Sequence, residues 1–410
     1  MQAFIDKQFF NLTVFTLIFG VMFYDIIDLM GFAYVDEICA VLLLLLFLYK
    51  AFSSRTWEFD KTFLIITGVF IFYLFYSIAI NSNSKGAIMT DFIIQIKPYL
   101  AFACVYALHP NLTDNQKRII KQIILLCSLY VFAVGVIGIV SYSVVEYTFS
   151  HYSRLATASS ILALLYLYCS DYTKVDKFVF IIILALGILS GRSKHFGFFA
   201  FSLVAIFYFT ESFKLKLNFR NVIFITAAIA FTVIVAWKKI YFYFVTGGFG
   251  GGREVNDLYA RMALYYFSSQ ILMDYIPFGC GFASYGTYAS ASSYSQIYVK
   301  YGMDGMSGLS KSAPDFVADT YYPVLAQFGF AGVALFLFFW VNLSRKAIKA
   351  YLKGYYKEAV IAIMIVVFFF IECTSDATLT HNRGMFMMMI MGLVFSDVKI
   401  KGDNEGIVSK

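Results

Sequence analysis

The chain has 410 residues, is 60% hydrophobic, 20% aromatic and only 14% charged, and carries a formal net charge of +7, where an ordinary soluble domain is about 25% charged. With a mean hydropathy of +0.75, this excludes a disordered chain and a soluble dinucleotide-binding or barrel enzyme. Its apolar runs are continuous and long enough for spanning helices rather than alternating in segments of about ten residues, which excludes a membrane β-barrel.

The expected fold class is therefore an all-α polytopic membrane protein. In chain order, apolar stretches predict helices over roughly 9–27, 36–50, 62–80, 88–108, 119–141, 155–170, 176–191, 195–211 and 221–241. A long polar stretch, 242–319, follows, then helices over 320–343, 358–374 and 383–397. That is twelve spans, divided as 1–241, the loop 242–319, 320–398 and a tail 399–410. The first stretch has no small-residue cleavage site after it and reads as a retained helix. The six cysteines show no CxxC spacing, so neither a metal site nor a disulfide framework is expected.

Lys and Arg in the loops set the orientation. With the N-terminus in the cytoplasm, twenty of them fall on the inner side and five in the short outer loops. Both termini are then cytoplasmic and the loop 242–319 is extracytoplasmic. The charge is a topology signal, not a nucleic-acid one.

The long loop opens on a glycine run at Gly247–Gly252, a hinge element. An amphipathic helix is expected over 254–275, with Val255, Leu258, Met262, Tyr265 and Leu272 on its apolar face and Pro277 and Gly279 ending it. Eleven tyrosines lie between 241 and 301. They suit either sugar stacking or an interfacial aromatic belt.

Charges in or near apolar helices are expensive and so point to function. Most lie near the outer ends: Asp25, Asp28, Asp36, Glu37, Asp91, Lys97, Arg154, Arg192, Lys194, His195, Arg253, Arg261, Asp315, Asp319, Glu372, Asp376, His381 and Arg383. Three features stand out. The tight turn Ser190-Gly191-Arg192-Ser193-Lys194-His195 packs cations between two apolar helices, either to grip a phosphate or to snorkel to headgroups. Arg261 sits mid-way along the expected loop helix, ahead of Pro277-Phe278-Gly279-Cys280-Gly281. Asp319 precedes Gly329-Phe330-Ala331-Gly332 and is either a helix cap or a general base.

These three features, in this order and on this topology, resemble the O-antigen polymerase and O-antigen ligase superfamily of bacterial envelope glycan assembly. The likeness is strongest over 185–335. Asp319 stands roughly where the ligases have a His, which leans toward a repeat-unit polymerase. The resemblance implies a glycosyltransferase in the cytoplasmic membrane, joining undecaprenyl-diphosphate-linked oligosaccharides at the outer face. It further implies membrane lipid and a chain-length regulator as partners, with no metal or other cofactor. Arg192 and Arg261 are then expected at the diphosphate and Asp319 as the acceptor's base, with Asp315 or His381 as substitutes for it, which makes Arg192, Arg261 and Asp319 the catalytic set. Arg154, Lys194, His195, Arg253, Asp315, His381 and Arg383 are expected to support substrate binding. Rival readings are the ligase arm, a lipid-linked oligosaccharide flippase or other transporter, and a non-catalytic glycan-binding protein. One-sided clustering of charge favours an enzyme working at one face over a transporter.

Overall fold

A computed structural model describes residues 1–32, 34–53, 60–208 and 258–408, together with Trp237 and Tyr241. The glycine run, Arg253 and, apart from those two aromatic residues, the expected ninth span lie outside the described residues. In chain order the helices are α1 (Gln2–Phe15), α2 (Tyr24–Leu29), α3 (Val35–Ser53), α4 (Lys61–Ala79), α5 (Lys85–Leu108) and α6 (Asp114–Val140). Next come α7 (Tyr142–Phe149), α8 (Tyr152–Cys169), α9 (Lys174–Ala185) and α10 (Ser193–Tyr208). The polar stretch contributes α11 (Ala260–Asp274), α12 (Tyr288–Ser292) and α13 (Gln296–Lys300). Last are α14 (Gly329–Leu352), α15 (Tyr356–Glu372) and α16 (Asn382–Val408). Among the described residues there is no β-strand, only one isolated bridge between Ser310 and Ala313.

Five stretches among the described residues are long and apolar enough to cross a membrane: Gln2–Met22, Lys61–Ala79, Lys85–Leu108, Asp114–Val140 and Tyr322–Leu352. The architecture is thus all-helical with helices of membrane-spanning character. Local chemistry sets several helix starts. Thr113 and Gln116 form a reciprocal capping box at α6, and Thr173 and Asp176 do so at α9. Ser84 accepts from the Ala87 N–H at the start of α5.

Side-chain size decides which helices go inside. α8 is buried along almost its whole length, and its Ala156, Ala158, Ser159, Ser160 and Ala163 let neighbours approach closely. α5 and α16 pack along much of their length, where a Cβ on Gly392 would stand 2.8 Å from Val105 Cβ and 2.9 Å from the Phe102 carbonyl oxygen. α4 and α6 instead turn Ile65, Phe75, Leu126 and Leu129 outward. Apolar residues so exposed on a long helix suit hydrocarbon, not water.

Several boundaries differ from the sequence reading; α6 starts early, at Asp114, and α16 runs on to Val408 through most of the expected tail. The expected helix 9–27 begins at Gln2, passes into a wider π turn over Thr16–Met22, breaks at Phe23 and resumes as α2. A short helix after Ser141, α7, was not expected; Tyr142–Phe149, with Ser143, Glu146 and Thr148, is too short and too mixed to read as a span. The span expected over 176–191 is α only to Ala185 and ends as a tight 3-10 turn over Leu186–Ser190. The span expected from 320 begins with 3-10 turns over Tyr322–Phe328 before α14 starts at Gly329.

The described part of the polar stretch 242–319 folds as a cap with its own core. α11 ends at Asp274, before Pro277, and buries Ala260, Ala263, Leu264, Phe267 and Ile271. Leu258 is buried as expected, but Met262, Tyr265 and Leu272 are only partly so, because the cap's small core favours the alanine-bearing stripe. Tyr285 and Tyr298 are fully buried in this core; the Tyr285 hydroxyl donates to the Leu264 carbonyl at 2.6 Å, and the Gly286 N–H donates to the Tyr298 hydroxyl at 2.7 Å. These two rings hold the cap together and are not available for sugar stacking.

The cap is seated on the helices by backbone contacts. Gly281 N–H donates to the Gln327 carbonyl at 2.8 Å, and Ala331 N–H to the Pro277 carbonyl at 3.0 Å. A Cβ on Gly279 would run into the Gly329 backbone, and both glycines have positive φ (+79° and +60°), so glycine is required twice over. Tyr73 and Tyr76 of α4 donate to the carbonyls of Phe328 and Gly279 at 2.7 and 2.8 Å. Asp91 of α5, fully buried, accepts from the Ala283 N–H at 2.6 Å. The glycine motifs at 277–281 and 329–332, about fifty residues apart, are therefore one packing joint.

Candidate functional site

Charged side chains from α2, α3, α5, α8, α10, α11 and the turns before α14 and α16 meet at one end of the bundle. Those of α2, α3, α5, α8 and the turn before α16 line an open cavity of about 410 Å³. Its lining includes Tyr24, Asp36, Glu37, Lys97, Arg154 and His381. The cap contributes Gly286, Thr287, Tyr288 and Ala318, and Tyr321 of the next turn completes that wall.

Two ion triplets flank this space. In the first, Asp25, fully buried, accepts from Arg383 at 2.6 Å and also from Arg154. One carboxylate thus serves two guanidiniums. In the second, Lys97 of α5 donates to Asp36 and, at 2.7 Å, to Glu37 on the first turn of α3. One ammonium thus serves two carboxyls. Tyr24 lies within electrostatic reach of both groups, of Asp36 and Glu37 on one side and Arg154 on the other.

Further charges extend the network. Lys194, at the start of α10, bonds Glu372 at 2.7 Å and reaches Asp376 at 3.6 Å. Burial opposes ionisation of Asp376, yet Lys194 and His381 hold its carboxyl below the usual carboxylate value. Arg192 donates to His151 Nε2 at 2.6 Å. Gly191, in a left-handed conformation (φ +62°), turns the chain so that Arg192 follows directly on the 3-10 turn. Arg261 of α11 pairs with Asp319. Partial burial pushes the Asp319 carboxyl up, with Arg261 opposing.

The expected site residues thus divide. Arg154 and His381 line the cavity. Arg192, Lys194, Arg261 and Asp319 belong to the same charge network at its margin: Lys194 is within reach of Arg261, and Asp319 of Lys194 and Asp376. Asp319 is neither a helix cap nor a free base in this state, because its carboxylate is taken by Arg261 and the following turn has no side-chain cap. His195 is corrected outright as a substrate ligand. It is 2% exposed, its Nε2 is 2.9 Å from the Leu184 carbonyl, and its ring fills the space beside Gly187. Helical geometry explains this: one residue beyond Lys194, the side chain turns about 100° into the bundle. Arg383 is likewise 2% exposed and bonds Asp25 and the Val21 carbonyl, so it acts on a substrate only through Asp25. Asp315 stands exposed on the cap. Arg253 lies outside the described residues.

The cavity also brings in residues the sequence reading gave no role: Asp36, Glu37, Lys97, Gln95, Thr287 and Tyr288. The signal was present for the first three, as charges within apolar helices. For the others no sequence signal exists, since Gln, Thr and Tyr are ordinary loop and helix-end residues.

A second, mainly apolar recess of about 180 Å³ lies between α4, α5 and α14, lined by Ile65, Val69, Phe70, Tyr99, Leu335 and Phe339 among others. Gln95 and Tyr321 line both spaces. The Tyr99 and Tyr321 hydroxyls are 3.2 Å apart. Among the described residues no cluster of three or more His, Cys, Asp or Glu is arranged to hold a metal ion. No family model matches the chain, and no curated protein matches it.

Proposed function

We propose that this chain is a surface-polysaccharide polymerase of the O-antigen type. It joins undecaprenyl-diphosphate-linked repeat units at the outer face of a bacterial cytoplasmic membrane. In this reading the bundle has twelve spans, both termini are cytoplasmic, and residues 242–319 form the extracytoplasmic cap. The observation that carries the reading is the meeting of Arg154, Arg192, Lys194, Arg261, Asp319 and His381 in one charge network at one end of the bundle, with Arg154 and His381 lining the cavity there.

The chemistry required is modest. A lipid diphosphate is already a good leaving group, so the protein supplies position and charge neutralisation. Arg192, whose partner is an imidazole and not a carboxylate, has a charge to offer a phosphate. Arg261 exchanges Asp319 for a phosphate oxygen when the donor arrives, a trade between two bidentate-capable anions. The mainly apolar recess beside the cavity, joined to it through Gln95 and Tyr321, suits a substrate with a polar head and an apolar tail.

Chain length of the extracted surface polysaccharide in a deletion strain, read as a gel ladder, tests the reading. Collapse to single repeat units on their normal terminus is the expected result. Long chains left on the carrier would instead identify a ligase. Single units trapped on the cytoplasmic side would identify a flippase.

A further inference from the structure

Resting on the polymerase reading, we propose that Asp36 and Glu37, held by Lys97, are the carboxyl pair that binds and deprotonates the acceptor hydroxyl. Asp36 is 2% exposed yet lines the cavity. One of its oxygens accepts from Lys97; the other, Oδ1, is buried with no hydrogen-bond donor. Glu37 repeats the pattern: Oε1 accepts from Lys97 at 2.7 Å, and Oε2 is buried with no donor. Buried acceptors are rarely left this way, because each costs the desolvation of a polar group. The two carboxyls lie against each other, so a proton taken up by the pair supplies the missing donor.

The position of the pair is as telling as its vacancy. With two carboxyls to one ammonium, the Lys97 group has an anionic surplus. Across the cavity, with two guanidiniums to one carboxylate, the Asp25 group has a cationic surplus, and Arg154 of that group lines the same space. A donor diphosphate is attracted to the second side and an acceptor hydroxyl to the first. Asp319, by contrast, is occupied by Arg261.

The step balances. The acceptor O–H bond breaks, and its proton goes to the Asp36–Glu37 pair. Two carboxyls in contact with each other hold one proton in common. The acceptor oxygen forms a bond to the donor's anomeric carbon as the bond from that carbon to the diphosphate oxygen breaks. The electron pair leaves on the diphosphate toward Arg154 and Arg192. The proton then passes to water through the open cavity.

The test uses the full-length protein in lipid vesicles, with a lipid-diphosphate-linked repeat unit as donor and acceptor. Binding of polyprenyl diphosphate alone is measured in parallel. Asp36→Asn and Glu37→Gln are each expected to lower kcat by about 100-fold or more, with polyprenyl diphosphate affinity within about twofold of wild type. Asp36→Asn strands the Lys97 charge, so the double variant Asp36→Asn/Lys97→Met guards against simple misfolding. Folded and binding the diphosphate but inactive, it supports the pair. Wild-type turnover in any of these variants overturns it, as does loss of diphosphate binding in step with turnover. A wild type that binds polyprenyl diphosphate but joins no units overturns the polymerase reading itself, and this inference with it.

Discussion

The two ends of the helix bundle use the same kinds of charged residue in opposite ways. At the lysine-rich end, cations mainly close off backbone, although Lys401 pairs with Glu358 at 2.6 Å. Lys50 donates to the carbonyls of Ala107 and Leu108 at 2.9 and 2.7 Å, and Lys357 to those of Tyr168 and Ser170 at 3.0 and 2.9 Å. Lys346 and Lys399 lie over the Tyr106 ring at 4.9 and 5.4 Å. These contacts satisfy helix-end carbonyls and cover aromatic faces. At the other end, Lys97, Arg154, Lys194, Arg261 and Arg383 seek carboxylates instead, far away in sequence, and two of them, Lys97 and Arg154, border a cavity. Number and sign of charge assign a side; the partner assigns the role.

Four substitutions break or sharpen this contrast. The largest effect is expected from Asp25→Ala, which leaves two guanidiniums without their carboxylate, one of them buried. A cost of about 3–5 kcal/mol in stability should appear as a large drop in thermal midpoint and membrane abundance. A fully abundant variant would refute a structural role for this triplet. Next, Arg261→Ala should shorten glycan chains and cut turnover about 100-fold at near-normal abundance, because its partner Asp319 can reach water. Normal chain length would remove Arg261 from the site. Lys357→Met, at the opposite end, should cost about 1–3 kcal/mol for the two carbonyls left without a donor, with turnover per folded molecule unchanged. A fall in turnover would erase the distinction between the two ends.

The smallest effect concerns acidity. Asp376 has its carboxyl lowered below an ordinary value of 3.8 in the folded state. Its stabilisation is therefore complete above that pH and is lost as the pH falls through the lower, folded-state value. Melting of wild type and Asp376→Asn should differ at neutral pH and converge in strong acid. A difference that persists or grows in acid would contradict the Lys194–Asp376 attraction.

Much of this architecture was legible in the chain. The stretches expected at 62–80, 88–108 and 155–170 match α4, α5 and α8 within about three residues, because a spanning helix needs a long apolar run and leaves little choice of period. The clustering of charge near one set of helix ends was equally visible. The interior roles of His195 and Arg383 were not. A residue one step round a helix from Lys194 faces a different neighbour, and only the packed bundle decides which. Nor was the joint between Gly279 and Gly329 visible, since each glycine reads alone as an ordinary turn or helix-start residue.

The sequence by itself determined an all-helical membrane protein, where its main apolar helices run and at which end its costly charges collect, since composition and period act locally and every apolar run must find its solvent. Pairing was left to tertiary structure. Asp25 joins Arg383 across more than three hundred residues, Lys97 joins Asp36 and Glu37 across about sixty, and Arg261 takes Asp319. Coulomb attraction at such separations along the chain exists only once the helices between them have packed. Which carboxyls are spent on cations, and which keep an oxygen without a donor, is therefore written in the bundle and not in any motif.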